Sequence, residues 1–574
     1  MNFLLVSLLM GSIASAQVPG FADPNRREKL LASTPQIDLL FERYFSGRKV
    51  PGLVYGIVID GQLAHVKAFG VRDEASKDAV TADTVFRIAS MTKSFTALAI
   101  LKLRDAGKLS LEDPVSKFVP ELAGLRYPTK DTPPLRIRQL LTHSAGFPED
   151  NPWGDRQLAI PDAELSRWLD QGIPFSTVPD SGWEYSNYGF ALLGRIVAKA
   201  SGKSYQAYLE AEILRPLGLS STTLEPSNVP AAKRAIGYGR RDGNLFEIPS
   251  LAHGSFGAMG GLLTNARDMA RYVAYYLAAE PARDDDDTGP VRRSSVREMQ
   301  RLWRTSNFSA NGLDPSGNMR ASAGGYGYGL HVSQDCRFSR IVAHGGGLPG
   351  FGSFMMWLPE YGVGMFAMAN LTYAGPAAPM REAFDVLSRA GALQPRVLAP
   401  SPALVSAQQS LLQLWSKWSN TGIDSIAADN LYPDHPRSDI QSEFSKLKSS
   451  FTECKPVGAV HPENWLRGTF DLVCKEGKVN MAFTLAPTTP PKLQFLRLTG
   501  VSNMSAAMLA SAEAEAARAP YGKCSIKSTL EGDGESAASL LLDCDRGPVQ
   551  MNLKRNGDRL EPSFVRAPGA ACTP

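Results

Sequence analysis

The chain has 574 residues, of which 43% are hydrophobic and 21% charged, and a formal charge of +4. That length exceeds one ordinary core and asks for two or three domains, and the composition is that of a soluble globular protein. A nearly neutral balance names no partner and gives no reason to expect nucleic acid.

In chain order, the N-terminus MNFLLVSLLMGSIASAQ is apolar from Phe3 to Met10 and then small through Ala14-Ser15-Ala16. Residues 1–16 therefore read as a secretory signal with cleavage before Gln17, although no Lys or Arg precedes the apolar run. No later segment has the roughly 18 consecutive apolar residues that span a bilayer. The mature chain is expected to be secreted or periplasmic, with no membrane span.

Residues 34–46 (TPQIDLLFERYFS) carry helical periodicity, and LVYGIVIDG followed by QLAHVKAFG (53–70) reads as two strands around a Gly-containing turn. Far downstream, SRIVAHGGG, GSFMMWLP and GVGMFAMANL read as three more strands, followed by a helix over 380–391. Both ends of residues 17–391 would then build one antiparallel sheet with terminal helices on one face. The intervening residues would form a helical lobe. A Pro-containing stretch over 392–402 reads as a linker, and residues 403–574 as a second domain, α+β, with helices over 403–449 and strands after them.

This last part repeats itself. LVCKEGKVNMAF (472–483) aligns with LDCDRGPVQMNL (542–553), and each copy has a cysteine 20 residues upstream of its own, Cys454 before Cys474 and Cys524 before Cys544. The midpoints fall in the turn sequences HPEN and EGDGES. Each pair should face itself across a hairpin, which predicts disulfides 454–474 and 524–544. Cys336 and Cys572 are left over, to pair with each other or stay free.

Three stretches carry chemistry. In RIASMTKSFTALAIL, Ser90 lies where a strand-like segment gives way to a helical one, with Lys93 one turn on and on the same face. A helix N-terminus offers unpaired N–H groups and favours developing negative charge. A desolvated lysine can lose enough basicity to take the serine proton. Ser46/Lys49 and Ser445/Lys448 share the spacing but not the setting. The second stretch is Tyr185-Ser186-Asn187 ahead of an amphipathic helix. The third is His344-Gly345-Gly346-Gly347 at the end of a strand, where glycines permit close approach of a ligand to the backbone. His253-Gly254-Ser255 also reads H-G-x, but it precedes a turn and a helix, so His344 is favoured; His65 and His143 read as structural.

In this order the stretches resemble S-x-x-K, Y-x-N and K/H-x-G of the serine β-lactamase and penicillin-binding-protein family, specifically its class C β-lactamase and D-Ala-D-Ala carboxypeptidase branch. RQLLTHSAGFP (138–148) and GAMGGLLTNARDMARY (257–272) look similar to that family too, and the resemblance spans roughly residues 30–391. It implies an α/β (α+β) fold with an antiparallel sheet and flanking helices. It implies Ser90 as the acylated nucleophile, Lys93 and Tyr185 as proton carriers, and Asn187, His344, Gly345 and Gly346 as substrate-binding residues. The N–H groups of Ser90 and Gly347 would form the oxyanion hole. No metal and no cofactor is implied.

The activity expected from the resemblance is an exported serine hydrolase forming an acyl-enzyme with an amide, a D-residue peptide, a β-lactam or an ester, on a small-molecule or peptide substrate. The alternatives are a carboxylesterase of the same fold and a penicillin-binding sensor that does not turn over. His344 in place of a lysine tilts the reading away from an efficient β-lactamase, because an ordinary imidazole is mostly neutral at pH 7. The partner of the C-terminal domain stays open.

Overall fold

The hairpin expected over residues 53–70 is present as strands Gly52–Ile59 and Gln62–Gly70. The computed structural model describes residues 20–310, 321–335, 337–391, 393–545, 549–557 and 559–566. Residues 1–16, Cys336 and Cys572 lie outside them. The chain divides into two units, Phe21–Arg396 and the residues from Val397 onward.

In the first unit the hairpin joins the downstream strands Ile341–Leu348, Phe351–Leu358 and Val363–Ala369 in one antiparallel sheet. The first strand lies directly against the last, with Leu53 facing Ala369 and Ile59 facing Val363. Three further strands, Arg304–Ser309, Ser322–Tyr326 and His331–Asp335, bring the sheet to eight. They were not anticipated, because RTSNFS, SAGGY and HVSQD lack the branched apolar runs that mark a buried strand.

Alternation sorts the central strands onto two cores. Leu53, Tyr55, Ile57, Met356, Leu358, Met365 and Ala367 meet Ile37, Leu40 and Phe41 of helix Thr34–Arg48 and Met380, Phe384 and Leu387 of helix Ala377–Arg389. These are the terminal helices expected on one face. Val54, Val58, Met355, Trp357, Phe366 and Met368 point the other way, into the lobe core with Tyr272, Val273 and Tyr276 of helix Ala266–Ala278. The lobe also contains helices Thr92–Asp105 and Asn187–Ser201, both largely buried.

In the second unit, helix Arg437–Ser450 precedes four strands, Lys455–Asn464, Arg467–Cys474, Gly477–Leu485 and Leu493–Ser502. Helix Ala506–Ala517 precedes four more, from Cys524–Gly532 to Arg559–Arg566. The repeat is thus a helix and a four-stranded meander, larger than the aligned segment. Phe470, Leu472 and Cys474 are buried in one copy where Leu540, Leu542 and Cys544 are buried in the other. Both predicted disulfides are formed, 454–474 and 524–544, and Cys524 faces Cys544 in register. The two meanders share one eight-stranded sheet, joined by a parallel contact of Val501 with Gly532.

Candidate active site

Ser90 sits in a single 3-10 turn, Ala89–Met91, immediately before helix Thr92–Asp105. The turn is forced: Ala89 has φ 49°, a left-handed conformation that costs a non-glycine residue about 1–2 kcal/mol. It is held from two sides. Ile88 N–H donates to Leu262 O at 2.9 Å, and Ser353 Oγ donates to Ile88 O at 2.8 Å. Gly346 lies under the same carbonyl, where an added Cβ would be 2.1 Å from Ile88 O, so the third stretch and the serine turn touch through backbone.

Lys93 is fully buried, and its Nζ is 3.0 Å from Ser90 Oγ, 2.6 Å from Asn187 Oδ1 and 2.9 Å from Met259 O. Two of these three neighbours are carbonyl oxygens, which only accept. A neutral amine would give them its two N–H bonds and aim its lone pair at the serine hydroxyl. Burial favours that neutral state and takes the lysine from the ordinary 10.5 to about 7, against the opposing charges of Asp155 and Asp150.

Tyr185 packs beside this amine, with Lys93 Nζ 4.8 Å from its ring centroid. Burial raises the phenol well above its usual range, so the hydroxyl keeps its proton. His143 fixes the loop that carries it: its Nδ1 accepts from Ser186 N–H at 3.1 Å and its carbonyl accepts from Glu184 N–H at 2.9 Å. Its ring lies 4.3 Å from that of Tyr185. Asp150 then caps helix Asn187–Ser201, accepting from the N–H groups of Asn187 and Tyr188 at 2.7 and 2.8 Å.

His344 is buried, with Nδ1 2.6 Å from Gly345 O and Nε2 2.7 Å from Tyr326 Oη. The carbonyl only accepts, so Nδ1 carries the proton and Nε2 takes the tyrosine's hydrogen. Burial lowers the imidazole well below 6.5, with His331 and Lys93 adding to the effect, and the ring is neutral. Beyond Ala343 the strand Ile341–Leu348 keeps a described partner on one side only, so alternate N–H and C=O groups from His344 to Leu348 face an open edge.

A cavity of about 600 Å³ opens here, lined by Ser90, Tyr185, His344, Gly345 and Gly347 together with Asn151, Pro152, Asp155, Trp183, His331 and Tyr373. Lys93 and Asn187 stand behind the wall. The Asn187 side chain is fully buried, accepts from Lys93 and donates to Asn151 Oδ1 at 2.6 Å. His253 lines a different depression, with Tyr205 and Arg195. His65 pairs with Asp38 at 2.8 Å on the sheet. Sequence reading missed Asp155, His331 and Tyr373, which are single residues in a loop, at a strand start and after a strand end. Trp183, two positions before Tyr185, was within reach of it.

A family model described as Beta-lactamase matches residues 37–389. D-alanyl-D-alanine-carboxypeptidase/endopeptidase AmpH of Escherichia coli (strain K12) is 30% identical over 339 residues, covering 58% of this chain and 83% of that protein. Protein flp of Staphylococcus aureus (strain COL) is 28% identical over 350 residues, covering 59% of this chain and 63% of that protein. Among solved structures, the octameric penicillin-binding protein homologue from Pyrococcus abyssi superposes with a TM-score of 0.50 at 21% identity, over 93% of this chain and 98% of that one. That likeness in fold reaches well past residue 391, where the resemblance read from the sequence ends. The family match covers more than half of the chain and takes in all three chemical stretches, and the chain belongs to the Beta-lactamase family.

Proposed function

We propose that the chain is an exported serine hydrolase that cleaves amide or ester bonds through an acyl-enzyme on Ser90, acting as a peptidase or esterase more readily than as a β-lactamase. The observation that carries this reading is the Lys93 amine, held by two acceptors with its remaining valence toward Ser90 Oγ. The serine proton passes to Lys93 Nζ as Oγ attacks the carbonyl carbon. The oxyanion that forms is held by the N–H groups of Ser90 and Gly347, a kind of donor whose loss costs about 10²- to 10³-fold in rate. Collapse breaks the bond to the leaving group, which takes its proton from Tyr185 Oη, and Lys93 resupplies the tyrosine. Water then repeats the sequence against the acyl carbon, giving up a proton to Lys93, and Ser90 recovers its own.

The preference for peptides or esters rests on charge. His344 is neutral, and among the described residues no lysine or arginine lines the cavity to meet the carboxylate of a β-lactam. The relative AmpH is named as a carboxypeptidase and endopeptidase, which agrees with a peptide substrate. The experiment is turnover of a p-nitrophenyl ester, a D-alanyl-D-alanine peptide and a chromogenic β-lactam by the parent and by Ser90→Ala. Steady turnover lost in the variant is expected. A single stoichiometric burst would make the protein a binder, and full activity of Ser90→Ala would end the proposal. N-terminal sequencing of the exported chain should begin at Gln17.

A further inference from the structure

The cavity has two unlike ends. Along strand Ile341–Leu348, His331 pairs with Ala343, whereas the ring of Tyr373 covers Gly347, where an added Cβ would be 2.5 Å from Tyr373 Cδ1. Four residues of strand put these ends roughly 13 Å apart. Tyr185 belongs to the first end, with its ring 6.4 Å from that of His344 and 6.5 Å from that of Trp183. Tyr185 protonates the departing group, so the leaving group lies toward His331 and Trp183, and the acyl group toward Tyr373.

The acyl end is acidic. Asp155 lines it, 2% exposed, with Oδ2 accepting from Tyr373 Oη at 3.0 Å. Its other oxygen, Oδ1, is buried without a hydrogen-bond partner, and Asp155 forms no salt bridge among the described residues. Among the described residues Asp155 is the one Asp, Glu, Lys or Arg on the cavity wall. Burial raises the Asp155 carboxyl above its usual range; Lys93, the Tyr373 hydroxyl and Arg156 pull it back only in part, and a buried carboxylate is costly unless a cation or donors meet it directly. The leaving-group end shows the opposite deficit, because the Trp183 indole Nε1 is a buried donor without an acceptor. Donor and acceptor are each missing where a peptide bearing an ammonium group on its acyl side and a carbonyl on its leaving side would supply them.

We infer that Asp155 is a specificity-determining residue that selects substrates whose acyl portion carries an ammonium group close to the scissile carbonyl. The inference rests on Ser90 acylation as proposed above. Asp155 also bears on Lys93 electrostatically, so its effect on specificity must be read as a ratio between substrates in which any change at Lys93 cancels.

The test uses the full chain and three p-nitroanilides: D-alanine, N-acetyl-D-alanine and Nα-acetyl-D-lysine. The first carries an α-ammonium, the second none and the third a side-chain ammonium. The parent should favour the D-alanine anilide, whose ammonium is next to the scissile carbonyl, over N-acetyl-D-alanine by about 10- to 100-fold in kcat/KM, the worth of a hydrogen bond to a charged group, with the Nα-acetyl-D-lysine anilide, whose ammonium is remote, below it. Asp155→Asn should bring that ratio to within about threefold of unity while N-acetyl-D-alanine is still cleaved; Asp155→Glu should restore part of it. Circular dichroism of each variant separates this from misfolding. Equal rates for all three substrates in the parent, or a ratio unchanged in a folded Asp155→Asn, overturns the inference alone. Rates that survive Ser90→Ala, or no turnover of any substrate, overturn the reading beneath it.

Discussion

Protonation of Lys93 is the perturbation that tests the chemistry most directly. With its pKa brought from 10.5 to about 7 by burial, the neutral fraction at pH 7 rises from about 0.03% to about one half, a gain of about three orders of magnitude. The reactive form is the unprotonated one, so activity must rise with pH. Relative to pH 7, kcat/KM for a neutral p-nitrophenyl ester should fall about fivefold at pH 6 and about 50-fold at pH 5, and gain only about twofold above pH 8. The assay is initial-rate hydrolysis across that range at constant ionic strength, with the spontaneous rate subtracted. Because kcat/KM reports the free enzyme, its inflection belongs to the unliganded amine. The charges of Asp155 and Asp150 oppose the effect of burial on Lys93, so Asp155→Asn should move the inflection to lower pH. A flat profile from pH 5 to 8, or an inflection near 10, would refute Lys93 as the base.

Tyr185→Phe should slow amide cleavage by about 10²- to 10⁴-fold, the usual worth of a positioned proton donor. Acylation by a p-nitrophenyl ester, whose leaving group departs as an anion, should change far less, and stopped-flow comparison of the two reads the difference. Gly346→Ala would place Cβ 2.1 Å from Ile88 O and 2.3 Å from Ser353 Oγ. Backbone cannot swing aside there, so thermal unfolding should show a loss of about 1–3 kcal/mol together with reduced turnover. The double variant Cys454→Ser with Cys474→Ser opens a loop of 20 residues, which in the chain-entropy account costs about 3 kcal/mol. Urea unfolding followed by tryptophan fluorescence, to which Trp415, Trp418 and Trp465 of this unit contribute, should register that loss while ester turnover persists.

What could be read from the sequence was what local spacing encodes. Ser90 and Lys93 lie one helical turn apart, so their meeting needs no knowledge of the rest of the fold. The cysteine pairs were legible because two copies with the same separation mark the same hairpin twice. Asn187 shows where spacing stops. Its motif implied a role in binding substrate but not its partners within the fold, Lys93 and Asn151, the latter 36 positions upstream. That closure depends on the loop around Asp150 folding onto a helix N-terminus, for which no periodicity exists. Asp155 and Tyr373 were invisible for the same reason: they lie 218 positions apart, and each sits in a short turn without periodicity. The three outer strands escaped because a lightly buried strand needs few apolar residues.

The duplicated meander has a consequence for inheritance. Each copy owns its helix, its four strands, its disulfide and its apolar interior, and the two are stitched by one described ladder contact, Val501 with Gly532. The second copy's buried core is drawn from its own helix and strands alone, so its deletion or further duplication severs no core, and related chains can shorten or lengthen there in steps of 70 residues, the spacing of Cys454 to Cys524. Length variation in this part of the chain should therefore be quantised, whereas residues 21–396, whose sheet is closed by pairing its first strand with its last, admit no such cut.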